Sequence, residues 1–177
     1  MTALPPEVLR TERLRLRVAD AGDAAFYLTL VNDPDFIVHI GDRGLRTLEA
    51  AAKAIEDGPV AMQRARGHSL YVVELQEKGT PIGLSGLIKR DTLEHVDIGY
   101  AFLPQHRGRG YAFEAAQAVV AHARSLGIVR LAAIVNPANA ASSALLRKLG
   151  MRFERHAELA PGQPGVDVYL MDLPAHE

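Results

Sequence analysis

The sequence predicts an α+β, or mixed α/β, fold on three observations. Runs of β-branched and apolar residues are grouped before a long alanine-rich stretch and again after it. That stretch, Tyr111 to Leu126, has helical periodicity, whereas Thr11 to Arg17 alternates charge and leucine with the period of a strand that has one wet face. Ile128 to Val135 is almost continuously apolar, as in a strand buried on both sides.

Each element follows in chain order. Thr11-Glu12-Arg13-Leu14-Arg15-Leu16-Arg17 is the opening strand, with its leucines toward the core. Asp20 caps a helix to about Val31, which Asn32-Asp33-Pro34 breaks. A second helix begins near Thr47, is interrupted at Gly58-Pro59 and resumes to about Arg66. Strands at Ser69 to Leu75, Ile82 to Ile88 and Val96 to Leu103 form a meander. In the helix that follows, Ala112, Phe113, Ala116, Val119, Val120, Ala123 and Leu126 share one face, and Gly127 is the stop. Asn136-Pro137-Ala138-Asn139 ends the apolar strand, and a short helix runs from about Ala140 to Leu149, stopping at Gly150. Strands near Arg152 to Glu158 and Val166 to Leu173 flank the turn Pro161 to Gly165.

The bulk numbers narrow the function classes. With 177 residues, 48% hydrophobic and 23% charged, the chain is expected to form one domain over residues 1–177. No apolar run approaches the roughly 18 residues of a membrane span, so no membrane partner is expected. The opening MTALPPEVLRTERL lacks a signal-peptide apolar core, and a cytoplasmic location is expected. The absence of cysteine excludes disulfides, thiolate metal ligands and a cysteine nucleophile. The seven histidines are scattered without His-x-x-x-His spacing, and no metal site is expected. A net charge of -1 argues against a nucleic-acid surface.

The stretch richest in chemistry is Gln105-His106-Arg107-Gly108-Arg109-Gly110-Tyr111-Ala112, where a strand hands over to a helix. A helix start exposes unpaired N–H groups and the positive end of its dipole, glycines admit an anion close to the backbone, and Arg107 and Arg109 add cationic donors. By itself the stretch reads equally as a tight turn. A Walker loop needs Gly-Lys-Ser/Thr where this chain has Gly110-Tyr111-Ala112. A dinucleotide fingerprint needs a glycine where Phe113 stands and an acid near Arg130, which is absent.

Gln105-x-x-Gly108-x-Gly110 resembles the acetyl-CoA pyrophosphate motif of the GNAT family of N-acetyltransferases. Thr11 to Arg17 resembles the opening strand of the family's RimJ/RimL-like branch, and Asp97-Ile98-Gly99-Tyr100 resembles its fourth strand. Asn139-Ala140-Ala141-Ser142 and Lys148-Leu149-Gly150-Met151 are similar to its Asn-x-x-Ser and Lys-x-Gly-Phe segments, with Met151 in place of phenylalanine. Together these span about residues 11 to 172 in the family's order. The resemblance implies a central bent mixed sheet of about seven strands, splayed between the fourth (about 95 to 103) and fifth (128 to 135). It also implies acetyl-CoA as cosubstrate, an amine acceptor and direct attack in a ternary complex, with no metal; a homodimer is left open.

The same resemblance assigns the site. Backbone groups of Ala101, Phe102 and Leu103 would pair with pantetheine amides and polarise the thioester carbonyl, and the pyrophosphate would sit over the turn from Gln105 through Arg107, Gly108, Arg109, Gly110 and Tyr111 to Ala112. A family tyrosine that protonates the leaving thiolate is replaced here by Leu146, and Ser142 is the candidate to support the sulfur, against a purely local role early in a helix. Asn139 is expected to bind CoA or to cap the helix. Asp97 and His95, two residues apart and so expected on one face, are the candidate bases, against structural ion pairing. Glu114 reads as structural. The acceptor side is expected around Asn32 to Thr47 and Ala160 to Gly165. Two readings of other classes stay open: a CoA-binding sensor without catalysis, and a nucleic-acid-binding domain resting only on the basic residues of the turn.

Overall fold

A computed structural model describes residues 6–175; part of the opening segment read for a signal peptide, and both ends of the 1–177 span, lie outside the described residues. The strands are β1 (Glu7–Arg10), β2 (Leu14–Val18), β3 (Leu70–Leu75), β4 (Pro81–Ile88), β5 (Asp97–Phe102), β6 (Arg130–Val135), β7 (Arg152–Ala157) and β8 (Val166–Asp172). They form one mixed sheet in the order β1-β2-β3-β4-β5-β6-β8-β7, one strand more than expected. The added strand is β1, and the opening strand begins at Leu14 because Thr11 closes a bend: its N–H donates to Leu14 O at 2.9 Å and its hydroxyl accepts Leu14 N–H at 3.0 Å.

The helices are α1 (Ala24–Val31), α2 (Pro34–His39), α3 (Leu48–Ile55), α4 (Ala61–Arg66), α5 (Tyr111–Ser125) and α6 (Ala140–Lys148). Two differ from the sequence reading. Pro34 does not only break α1 but opens α2, since a proline at the first helical position loses no intrahelical bond, and Asp33 accepts Phe36 N–H at 3.3 Å. Gly58-Pro59 does not interrupt the second helix; a π-helical segment, Glu56–Val60, joins α3 to α4 and widens the turn around the proline that lacks an N–H.

Both sheet faces are covered over β2 to β5. Leu14, Leu16, Ile98 and Phe102 pack with Ala116, Val119 and Val120 of α5 and Leu146 of α6 on one face. On the other, Val72 and Leu84 pack with Leu30, Val31 and Ile55 of the first helices. Burial of each such side chain contributes about 1.5–3 kcal/mol. The face of β2 expected to be wet is therefore covered: Arg17 is 9% exposed and pairs with Asp23 at 2.7 Å and Glu74 at 3.0 Å. At the end of the α5 face Leu126 is 43% exposed, because the helix has already ended at Ser125.

β5 and β6 run parallel and pair at one position only, Asp97 with Ala132, where Ala132 N–H donates to Val96 O at 2.9 Å. Beyond it the two strands part toward their C-terminal ends. This is the splay expected between the fourth and fifth strands.

Candidate active site

The opening between β5 and β6 is bounded by the turn after β5, by α6 after β6, and by α2. Its first component is the turn. A short 3-10 helix, Pro104–His106, follows β5; His106 N–H donates to Leu103 O and Arg107 N–H to Pro104 O. Gly108 and Gly110 then take left-handed backbone, φ 76° and 82°, which only glycine adopts without strain. Glu114 N–H donates to Gly110 O at 3.1 Å to start α5. Among the described residues, no hydrogen bond is made by the N–H groups of Gly108, Arg109, Gly110, Tyr111, Ala112 or Phe113. Six consecutive donors at a 15-residue helix's N-terminus fit a diphosphate.

The side chains of the turn divide the expected roles. Arg109 and Gln105 are exposed, and Arg109 makes no side-chain hydrogen bond among the described residues. Arg107, expected as a cationic donor to the phosphate, is instead committed inward. Its guanidinium meets Asp35 at 2.5 Å and Asp33 at 2.9 Å, and donates twice to Phe102 O. Its backbone N–H is also taken, so two acids and a carbonyl claim the group ahead of a ligand. The structural reading of Glu114 agrees with its contacts: it accepts from Thr11 Oγ1 at 2.5 Å and from Arg13 at 2.8 Å. Burial raises the Glu114 carboxyl, but these bonds outweigh it and hold the pKa below the usual value.

Along β5 the backbone groups alternate sides. Leu103 N–H is bonded to Ile82 O at 2.9 Å, so Leu103 and, two residues back, Ala101 direct their groups to β4. That removes both from the expected pantetheine contacts. The groups facing the opening are those of Tyr100 and Phe102, and Phe102 O is occupied by Arg107. Tyr100 was not anticipated; strand alternation relative to the β4 pairing was the signal that could have found it.

At the pairing point, Asp97 is 1% exposed, with Oδ2 3.3 Å from Arg90 Nε and Oδ1 without a partner. Burial pushes its pKa up, and Arg90 opposes that. β5 begins only at Asp97, and His95 lies in the preceding bend, where it lines a cavity of about 120 Å³ with Glu94, Arg130, Ala132 and Leu170. Its nearest acid is Glu94, at 3.7 Å.

On the other wall, Asn139 caps α6: its Oδ1 accepts Ser142 N–H at 3.2 Å. Ser142 Oγ lies 2.6 Å from the Tyr100 hydroxyl across the opening. Leu146, in the place of the absent tyrosine, is buried in the core at 1% exposure. Within the Asn32 to Thr47 segment expected on the acceptor side, Asp42 pairs with Arg46 at 2.8 Å. Among the described residues no group of three or more His, Asp or Glu side chains could hold a metal ion, and no helix is long and apolar enough to cross a membrane.

Parallel strands that part beside a glycine turn at the start of a long helix give the fold its open cleft. The family profile described as "Acetyltransferase (GNAT) domain" matches residues 13–152. The chain belongs to the GNAT acetyltransferase family, and it is an acyltransferase. The uncharacterized N-acetyltransferase YoaA of Bacillus subtilis (strain 168) is 30% identical over 151 residues, covering 83% of this chain and 84% of that protein. The acetyltransferase of Agrobacterium tumefaciens str. C58 superposes with a TM-score of 0.80 at 28% identity, over 98% of both chains. RimL, a ribosomal L7/L12 α-N-protein acetyltransferase solved with coenzyme A, shares the fold with a TM-score of 0.81 at 20% identity, over 97% of this chain and all of that one (100%).

Proposed function

We propose that this enzyme transfers an acetyl group from acetyl-CoA to a primary amine by direct attack in a ternary complex. The observation that carries the reading is the run of six unpartnered N–H groups, Gly108 to Phe113, at the mouth of the parted strands β5 and β6. They suit the pyrophosphate, with Arg109 and Gln105 at the rim, while Phe102 N–H faces the opening where the pantetheine arm would lie. The coenzyme A held by the RimL neighbour is consistent with this assignment.

The chemistry has three parts. The amine must be neutral: an unperturbed lysine amine near about 10.4 is almost fully charged at pH 7, an α-amine near about 7.7 to 8.0 less so. Asp97, buried with one free carboxylate oxygen, is the candidate to take the proton, directly or through water. Backbone N–H donors on the open side of β5 stabilise the oxyanion. Ser142 supports the departing sulfur.

The α-N-protein activity in the RimL neighbour's name favours a protein N-terminus as acceptor; a small-molecule amine is the other class. The same reading gives the enzyme a cytoplasmic setting, with acetyl-CoA and the amine as partners. Thiol release from acetyl-CoA across a panel of N-terminal peptides and small amines tests it, and the chain has no cysteine to contribute a background. Acceptor-dependent release is the expected result; a folded protein that binds acetyl-CoA yet releases no thiol with any acceptor would overturn it.

A further inference from the structure

The hydroxyl missing at Leu146 has a counterpart that reaches the same helix from the opposite wall. Tyr100 projects from β5, and its hydroxyl lies 2.6 Å from Ser142 Oγ and 3.4 Å from Ser142 O on α6. The two residues thus meet across the opening in which β5 and β6 no longer pair. Ser142 has its backbone held by Asn139 Oδ1, leaving only the hydroxyl rotor to be set. Tyr100 sets it. Among the described residues neither hydroxyl bonds a charged side chain. Burial pushes the Tyr100 phenol up, and the bond to Ser142 opposes this, so the phenol keeps its proton at neutral pH and remains a donor.

We propose that Tyr100 is a positioning residue that orients and polarises the Ser142 hydroxyl so that it donates a hydrogen bond to the sulfur leaving acetyl-CoA. This rests on the acetyl-transfer reading above. In that step the amine nitrogen bonds to the carbonyl carbon, the C–S bond breaks, its electron pair stays on sulfur, and the proton of the amine passes to Asp97 or water. The thiolate is met by Ser142 O–H, and Tyr100 O–H, bonded to Ser142 Oγ, makes that donor stronger. A phenol acting through a serine supplies what a single tyrosine at position 146 would have supplied directly.

Calorimetric titration with coenzyme A and, separately, acetyl-CoA from about pH 6 to about pH 10 follows ionisation of the coenzyme A thiol, an alkyl thiol with a pKa above the ~8.5 of a cysteine side chain, and needs no acceptor. Only coenzyme A carries an ionisable sulfur, so titration of its phosphates and adenine cancels in the ratio of the two affinities. If the hydroxyl pair stabilises the thiolate, the bound thiol pKa lies below the free one. Coenzyme A affinity relative to acetyl-CoA then rises with pH between those two values, about tenfold for each unit of lowering.

Tyr100→Phe keeps the ring and is expected to cut that rise by about threefold or more. Ser142→Ala is expected to cut it at least as far, and Tyr100→Phe to add nothing in that background. A rise unchanged in folded Tyr100→Phe, or additive losses in the double variant, overturns the role of Tyr100 and leaves acetyl transfer standing. Should Tyr100→Phe not fold, an unchanged rise in Ser142→Ala overturns the role equally. Failure of the folded wild-type protein to bind either ligand overturns both readings.

Discussion

Arg13 Nη1 donates to the carbonyl oxygen of Arg109 at 3.0 Å, so the bend before β2 holds the turn that precedes α5. The trans peptide places Gly110 N–H opposite that carbonyl, directing it away from Arg13 toward the open side. The arginine is itself fixed, by Glu114 at 2.8 Å and by stacking over the Tyr111 ring with 4.4 Å to its centroid.

Arg13→Met removes the brace while leaving the six donors in place. Acetyl-CoA affinity is expected to fall by about five- to tenfold, since the donors must then be ordered by the ligand itself. Calorimetry measures it; an affinity within twofold of wild type would mean, by the same ~1 kcal/mol criterion, that the turn holds its shape unaided.

Gly108 and Gly110 are expected to respond differently to alanine. A Cβ at Gly108 meets nothing within 4 Å, so Gly108→Ala costs only the left-handed strain, about 1–2 kcal/mol of stability. A Cβ at Gly110 comes 3.3 Å from Arg13 Nη2, adding displacement of the brace. Gly110→Ala should therefore lose more acetyl-CoA affinity than Gly108→Ala, read by calorimetry alongside thermal melts.

Arg107 and Arg109 should separate stability from binding. Arg107 ties the turn to Asp33 and Asp35 of the α2 segment, so Arg107→Gln is expected to lower the melting temperature by about 2–4 °C with acetyl-CoA affinity changed by less than about threefold. Arg109→Gln should do the reverse, with an unchanged melt and weaker, less salt-sensitive binding. Equal binding losses in both would return Arg107 to the phosphate.

Asp97 has a pKa raised in the native state by burial, which fixes the sign of its pH dependence. A raised carboxyl contributes stability fully below its unfolded pKa, about 3.9, and loses it as pH rises through the folded value. Wild type should therefore gain on Asp97→Asn as pH falls from about 7 toward about 4, followed by thermal melts. In its proposed role as base, Asp97 also predicts an ascending limb of kcat/KM with pH that Asp97→Asn abolishes. A gap between the two melts that is flat with pH would show that Asp97 does not titrate there.

Much of this protein was determined by the sequence alone. Local chemistry is visible locally: Asp20 closes a capping box with Asp23, Thr47 caps α3, Asn139 caps α6, and Gly108 and Gly110 supply the left-handed backbone that the strand-to-helix turn requires. The helical period of Tyr111 to Leu126 and the apolar run of Ile128 to Val135 likewise specify α5 and β6, because one buried stripe and two buried faces leave different residue spacings. The tertiary structure decided what depends on residues far apart in the chain. It turned Arg107 onto Asp33 and Asp35, covered the arginine face of β2, and brought Tyr100 to Ser142 across the parted strands. No spacing encodes these contacts. They arise only when the sheet order places β5 beside β6 and the helices that follow them close over the gap, which sets each long side chain against whichever partner lies within reach.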